Sequence, residues 1–180
     1  MGRGRFGTMY LAEKKDGTKY AIREVDSDGG DQSTHDFFRE VELYIQIRAQ
    51  PAICKFYGFQ LSPQKIVLEY LEKGSLKNIF DKLLKKETVK EWNGTMKSKT
   101  VFGIATALLQ LQNHGAFHRF LTPASILFDS NYEPRLVDFA FAKVDTGTDT
   151  AKTVIKNKSI QIYQAPELDD NANYDFKVDN

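Results

Sequence analysis

Gly2, Gly4 and Gly7 stand in the spacing G-x-G-x-x-G, and the chemistry they offer belongs to the backbone. Lacking side chains, they let a strand-turn-strand bring bare N–H groups against phosphate oxygens. The same spacing suits a plain tight hairpin, so alone it decides little. Cys54 is the only cysteine, and with Ile53 before it and Phe56-Tyr57 after it, it reads as a buried core thiol rather than a nucleophile. His114, within Asn113-His114-Gly115, reads as a residue at a helix end, because no other histidine, cysteine or carboxylate cluster stands at metal-ligand spacing.

The stretch His118-Arg119-Phe120-Leu121-Thr122-Pro123-Ala124-Ser125-Ile126-Leu127-Phe128 resembles the catalytic loop of the eukaryotic protein kinase family, H-R-D-L-x-x-x-N. Further motifs of that family occur in its order. Gly2 to Gly7 is similar to the glycine loop, Tyr20-Ala21-Ile22-Arg23 to the V-A-I-K strand, and Glu40 to the helix partner of the strand lysine. Asp138-Phe139-Ala140 resembles D-F-G, and Ala165-Pro166-Glu167 resembles the A-P-E that closes the activation segment. The run from Trp92 to Leu111 and the tail from Tyr174 to Asp179 look most like the tyrosine-kinase-like branch.

The resemblance implies an α+β, bilobal fold. An antiparallel-sheet N-lobe with one helix is expected over residues 1–71, without the start of its first strand. An incomplete, mainly helical C-lobe is expected over 72–180, ending where the central helix of that lobe begins. The resemblance also implies roles. Met9, Ala21 and Leu127 would surround an adenine, Leu68 would border the pocket, and backbone groups near Glu69 and Leu71 would meet the base. Gly2, Gly4, Gly7 and Arg23 would approach phosphates, and Asp138 would hold a metal ion. Phe56, Tyr44, Phe139 and His118 would stack in one column, with His118 and Arg119 bracing the core.

Three working positions depart from the family. Arg23 replaces a compact ammonium with a wide planar fork, suited to a two-pronged bond with Glu40. Phe120 stands where an aspartate would accept the substrate proton, and a phenyl ring has no lone pair for it; loss of a positioned base costs ~10²- to 10⁴-fold in rate. Ser125 stands where an asparagine would hold magnesium, and its hydroxyl is a shorter, weaker ligand. The expectation is a pseudokinase: a catalytically impaired kinase-like domain that binds ATP and Mg weakly and acts as a scaffold or allosteric regulator of a protein partner such as an active kinase. The alternatives are a weakly active ATP-dependent serine/threonine protein kinase and a non-functional fragment of one. Thr146, Thr148, Thr150 and Thr153 are candidate phosphorylation sites in a Thr-rich activation segment.

The elements that must position these residues are legible as patterns. An Asp16-Gly17 turn joins two strands; Ser33 with Asp36 predicts a capped helix to Ile45; further strands are expected at 53–59 and 65–70. Ser75 caps a helix to about Leu84, residues 85–99 read as a polar connection, and Val101 to Leu111 reads as a buried helix ended by Gly115. Lacking the helices that follow in the family, Val101–Leu111 and Ile126–Phe128 would want a cover, which predicts self-association. At 41% apolar the chain can build a core, and 25 basic against 24 acidic residues argue against binding nucleic acid or acidic membrane through bulk charge. No apolar run is long enough to span a membrane, and the single cysteine suits a reducing compartment, so the expected location is cytoplasmic.

Overall fold

The computed structural model describes residues 2–4, 7–25, 30–47, 50–144, 162, 163, 165 and 179. The candidate phosphorylation threonines and most of the A-P-E motif lie outside them. The architecture is the expected α+β, bilobal one. β1 (Gly2–Gly4), β2 (Gly7–Glu13), β3 (Lys19–Glu24), β4 (Phe56–Leu61) and β5 (Gln64–Glu69) form one antiparallel sheet in the order β1-β2-β3-β5-β4. The 18-residue helix α1 (Gly30–Ile47) connects β3 to β4.

Local chemistry explains these elements. Between β2 and β3, Gly17 takes φ +82° and the Thr18 N–H donates to Asp16 Oδ1 at 2.9 Å, closing the expected turn. Gly7 has no substitute: its φ is +114°, and a Cβ there would lie 1.9 Å from the Glu24 carbonyl oxygen. The strand expected from Ile53 begins at Phe56. Helix α1 begins at Gly30, so Ser33 falls inside its first turn and is not its cap.

The second lobe holds α2 (Leu76–Leu84), α3 (Gly94–Asn113) and short strands: β6 (Gly74–Ser75), β7 (Ala116–Phe117), β8 (Ile126–Phe128), β9 (Pro134–Leu136) and β10 (Lys143–Val144). Ser75 caps α2, its hydroxyl accepting the Asn78 N–H while the Asn78 side chain accepts the Ser75 N–H. The supposed polar connection ends sooner than expected. Asn93 accepts the Met96 N–H at 3.0 Å and starts α3 seven residues before Val101. Gly115, at φ +66°, ends it as expected, and His114 Nδ1 lies 2.7 Å from the Gln110 carbonyl.

Helix α3 is not buried all round. Ala107 and Leu111 pack inward while Val101, Phe102 and Leu109 face solvent. A second correction concerns cover: Ile126 and Phe128 are fully enclosed. Part of that packing comes from α3 itself, whose Gly103 sits so close to β9 that a Cβ would lie 2.2 Å from Pro134 Cγ.

Two strands of chain tie the lobes together. One is the segment after β5, whose Lys73 N–H donates to the Phe128 carbonyl at 3.2 Å. The other follows α1: the Leu136 N–H donates to the Ala52 carbonyl at 2.9 Å, and the Cys54 N–H to the Leu136 carbonyl at 3.0 Å. Through the interior between them runs the expected aromatic column. Tyr44 stacks on Phe56 at 5.4 Å, Phe139 meets Tyr44 edge-on at 5.0 Å, and His118 meets Phe139 at 5.2 Å. Each such pair adds about 0.5–1.5 kcal/mol beyond area burial.

Candidate functional site

Strand alternation puts Ala21 and Arg23 on the same, inward face of β3. Helical spacing puts Phe37, Glu40, Val41 and Tyr44 on the inward face of α1, and all four are buried. These two elements therefore aim a guanidinium and a carboxylate at one point. Arg23 Nη2 forms a short ion pair with Glu40 Oε2, the partnership that arginine at this position suggested. The second prong goes elsewhere: Arg23 Nη1 lies 3.4 Å from Asp138 Oδ1.

This bridge was not foreseen, and it changes the electrostatics of the site. Burial works against the charge on Arg23, but Glu40 and Asp138 outweigh it and raise its pKa above the ordinary arginine value. The arginine is a permanent cation held between two carboxylates. Behind it the Tyr44 hydroxyl is pushed well above the usual phenol range, first by burial and then by the Glu40 charge. Among the described residues, Arg23 Nε, Glu40 Oε1 and the Tyr44 hydroxyl are buried without a hydrogen-bond partner. Each such atom costs about 1–3 kcal/mol until something satisfies it.

The loop from His118 to Ser125 is held from several sides. His118 is fully buried; its Nε2 lies 3.0 Å from the Val137 carbonyl, and its Nδ1 accepts the Phe120 N–H at 3.2 Å. That pair of contacts fits the neutral Nε2–H tautomer. Burial lowers the His118 pKa, partly opposed by the Asp179 charge. The Asp179 carboxylate accepts the N–H of His118 at 2.6 Å and of Arg119 at 2.7 Å. Arg119 takes the left-handed φ of +58° and its Nε donates to the Phe141 carbonyl at 2.8 Å.

Ser125 turns away from the cleft and serves its own loop. Its hydroxyl accepts the Thr122 N–H at 2.9 Å, and its one proton is shared between the carbonyls of Thr122 (2.8 Å) and Phe120 (3.2 Å). Phe120 rests against Phe141 with ring centres 5.2 Å apart, and its ring lines the cleft beside Asp138. Cys54 is the buried thiol that its surroundings indicated; burial and then the Glu69 charge push its pKa up to about 12.

The cleft between the lobes encloses about 780 Å³. Gly7, Met9, Ala21, Arg23, Leu68, Glu69, Leu71, Leu127 and Asp138 all line it, as the sequence led us to expect. Gly2 and Gly4 lie in β1, opposite Met9 and Gly7. Tyr44, Tyr163 and one face of α2 also line the cleft and were missed. The α2 face was readable, because Lys77, Phe80, Asp81 and Leu84 follow helical spacing.

Comparison with known proteins agrees with this arrangement. The family model for the protein kinase domain matches residues 1–180. The chain is 28% identical to a PTI1-like tyrosine-protein kinase of Arabidopsis thaliana over 94% of its own length and 47% of the relative's. It is 30% identical to cysteine-rich receptor-like protein kinase 28 of Arabidopsis thaliana, covering 99% of this chain and 26% of that one. It is 32% identical to mitogen-activated protein kinase kinase kinase 1a of Physcomitrium patens, covering 99% and 23%. The chain thus spans less than half the length of these relatives.

Proposed function

The chain belongs to the protein kinase domain family, and from that premise we propose that it is a pseudokinase, a member that works by binding rather than by phosphoryl transfer. The observation that carries this reading is the Arg23 bridge. A family member that transfers phosphate needs a compact cation at the phosphates and a carboxylate open to metal. Here Arg23 is shared between Glu40 and Asp138, and the carboxylate meant for metal already faces a guanidinium. Phe120 brings a ring to the place of the base, and the Ser125 hydroxyl is used within its loop.

The residues fit an adenine better than a metal-bound triphosphate. Met9, Ala21, Leu68 and Leu127 offer apolar walls for a planar base, so ATP and Mg are expected to bind weakly. What remains intact is the shape: the column from Phe56 to His118 and the braced loop. A domain that keeps its shape can regulate an active kinase or organise a scaffold, and a protein partner of that kind is the proposed target.

A second reading, residual serine/threonine phosphotransfer, is favoured by two observations. The relatives are named as kinases, and Asp138 still lines the cleft. Incubation with radiolabelled ATP and magnesium separates the two readings. No incorporation above an Asp138→Ala control is expected; label above that control would overturn the pseudokinase reading. As to setting, no helix among the described residues is long and apolar enough to cross a membrane. Placement in the cytoplasm is part of the proposal.

A further inference from the structure

Resting on the reading of the cleft as a site of binding, we propose that its ligand is an uncharged purine-sized heteroaromatic, a nucleoside rather than a nucleotide, held without a divalent metal.

The first ground is charge. Among the described residues, the charged ones lining the cleft are Arg23 and Lys77 against Glu69, Asp81 and Asp138, two positive and three negative. Neither cation is unengaged. Arg23 is paired with Glu40 and Asp138, and Lys77 with Asp81 at 2.6 Å. A triphosphate reaching Arg23 would meet the negative charge of Asp138 and would have to draw Arg23 away from two carboxylates to gain it as a partner. Close pairing with two carboxylates opposes that exchange.

The second ground is the metal. Asp138 shares its carboxylate with Arg23, and a divalent ion would have to sit beside that guanidinium, cation against cation. The Ser125 hydroxyl, engaged with Thr122, is not turned toward it. Among the described residues no cluster of three or more metal-ligating side chains exists.

The third ground is what the cleft lacks partners for. Tyr44 and Arg23 line it, and the Tyr44 hydroxyl and Arg23 Nε are buried and unsatisfied. A neutral ligand with hydroxyl groups and ring nitrogens can exchange hydrogen bonds with the phenol and accept from the guanidinium. A phosphate could accept from the guanidinium too, but would bring its negative charge beside Asp138.

Titration calorimetry and thermal shift with three probes test the proposal: adenosine, ATP with EDTA, and ATP with excess magnesium chloride. Adenosine is expected to raise the melting temperature and to bind about tenfold or more tightly than ATP, a difference of about 1.4 kcal/mol. Magnesium should not close that gap. The Asp138→Asn variant, which removes one negative charge, should narrow the adenosine-to-ATP ratio severalfold. Tighter binding of magnesium-ATP than of adenosine would overturn the proposal, as would an absent shift with millimolar adenosine or an unchanged ratio in the variant. Tight magnesium-ATP binding without label transfer would sink this inference and leave the pseudokinase reading standing; label transfer would sink the latter.

Discussion

The Asp179 carboxylate accepts the backbone N–H of His118 at 2.6 Å across 61 residues of sequence, and with its other oxygen it accepts the N–H of Arg119. One side chain thus satisfies two buried donors at the point where the loop leaves β7. Replacing it by alanine would strand both donors at about 1–3 kcal/mol each. Urea unfolding should show Asp179→Ala less stable by about 2 kcal/mol or more, with Asp179→Asn losing less because it keeps one acceptor. Equal stability of all three chains would mean that the loop holds itself.

Arg23 and Glu40 are a buried ion pair with the half-buried Asp138 beside it, and such pairs are costly when broken singly. Arg23→Met leaves Glu40 buried without a cation and should destabilise by about 3–5 kcal/mol. Arg23→Met combined with Glu40→Leu should recover most of that loss. A double-mutant cycle with no coupling between positions 23 and 40 would contradict the contact.

His118 predicts a pH dependence. Its pKa is lowered in the fold, so the unfolded chain takes up a proton near pH 6.5 while the folded chain does not. Stability is fully present above that value and falls as the pH drops through it toward the lower folded value, by at most about 1.4 kcal/mol per pH unit. Protonation at Nδ1 would also cost the Phe120 N–H its acceptor. Melting curves between pH 7.5 and pH 5 should show this decline, and it should flatten in His118→Gln.

Phe120→Asp restores a group able to accept a proton but leaves Arg23 joined to Asp138 and the Ser125 hydroxyl engaged with its loop. No phosphotransfer should appear in that single variant. Radiolabel transfer by Phe120→Asp would locate the whole defect in one side chain, and the Arg23 bridge would then be no obstacle to catalysis.

Much of the fold was legible because short motifs fix it locally. The Asp16-Gly17 turn, the Ser75 cap and Gly115 each act through neighbours in sequence, and each does what its residue type implies. Boundaries fared worse where a pattern continued past its clearest part. Asn93 started α3 within a polar stretch, and apolar Phe102 proved to face solvent because packing on β9 engages only one stripe. In the site, the walls offered by Met9, Ala21, Leu68 and Leu127 followed from the resemblance. The second prong of Arg23 did not, because a sequence names a side chain without saying how many partners it reaches. Asp179 closes the tail that resembles the family, but its grip on the loop depends on a distance that no local pattern encodes.

The two crossings between the lobes have a mechanical consequence. The sheet lobe tied to the other at Lys73–Phe128 and again at Ala52–Leu136–Cys54 cannot slide or pull away without breaking one of the ties. A turn about the line through them strains the contacts that lie off that line, among them Tyr44 on Phe139 and the Arg39 bond to the Ala140 carbonyl. Any widening of the cleft is then a rotation of the sheet that carries Arg23, against a loop that stays with Asp138. The 3.4 Å contact between those two residues is a latch across that rotation, because it joins the sheet to the loop directly over the cleft.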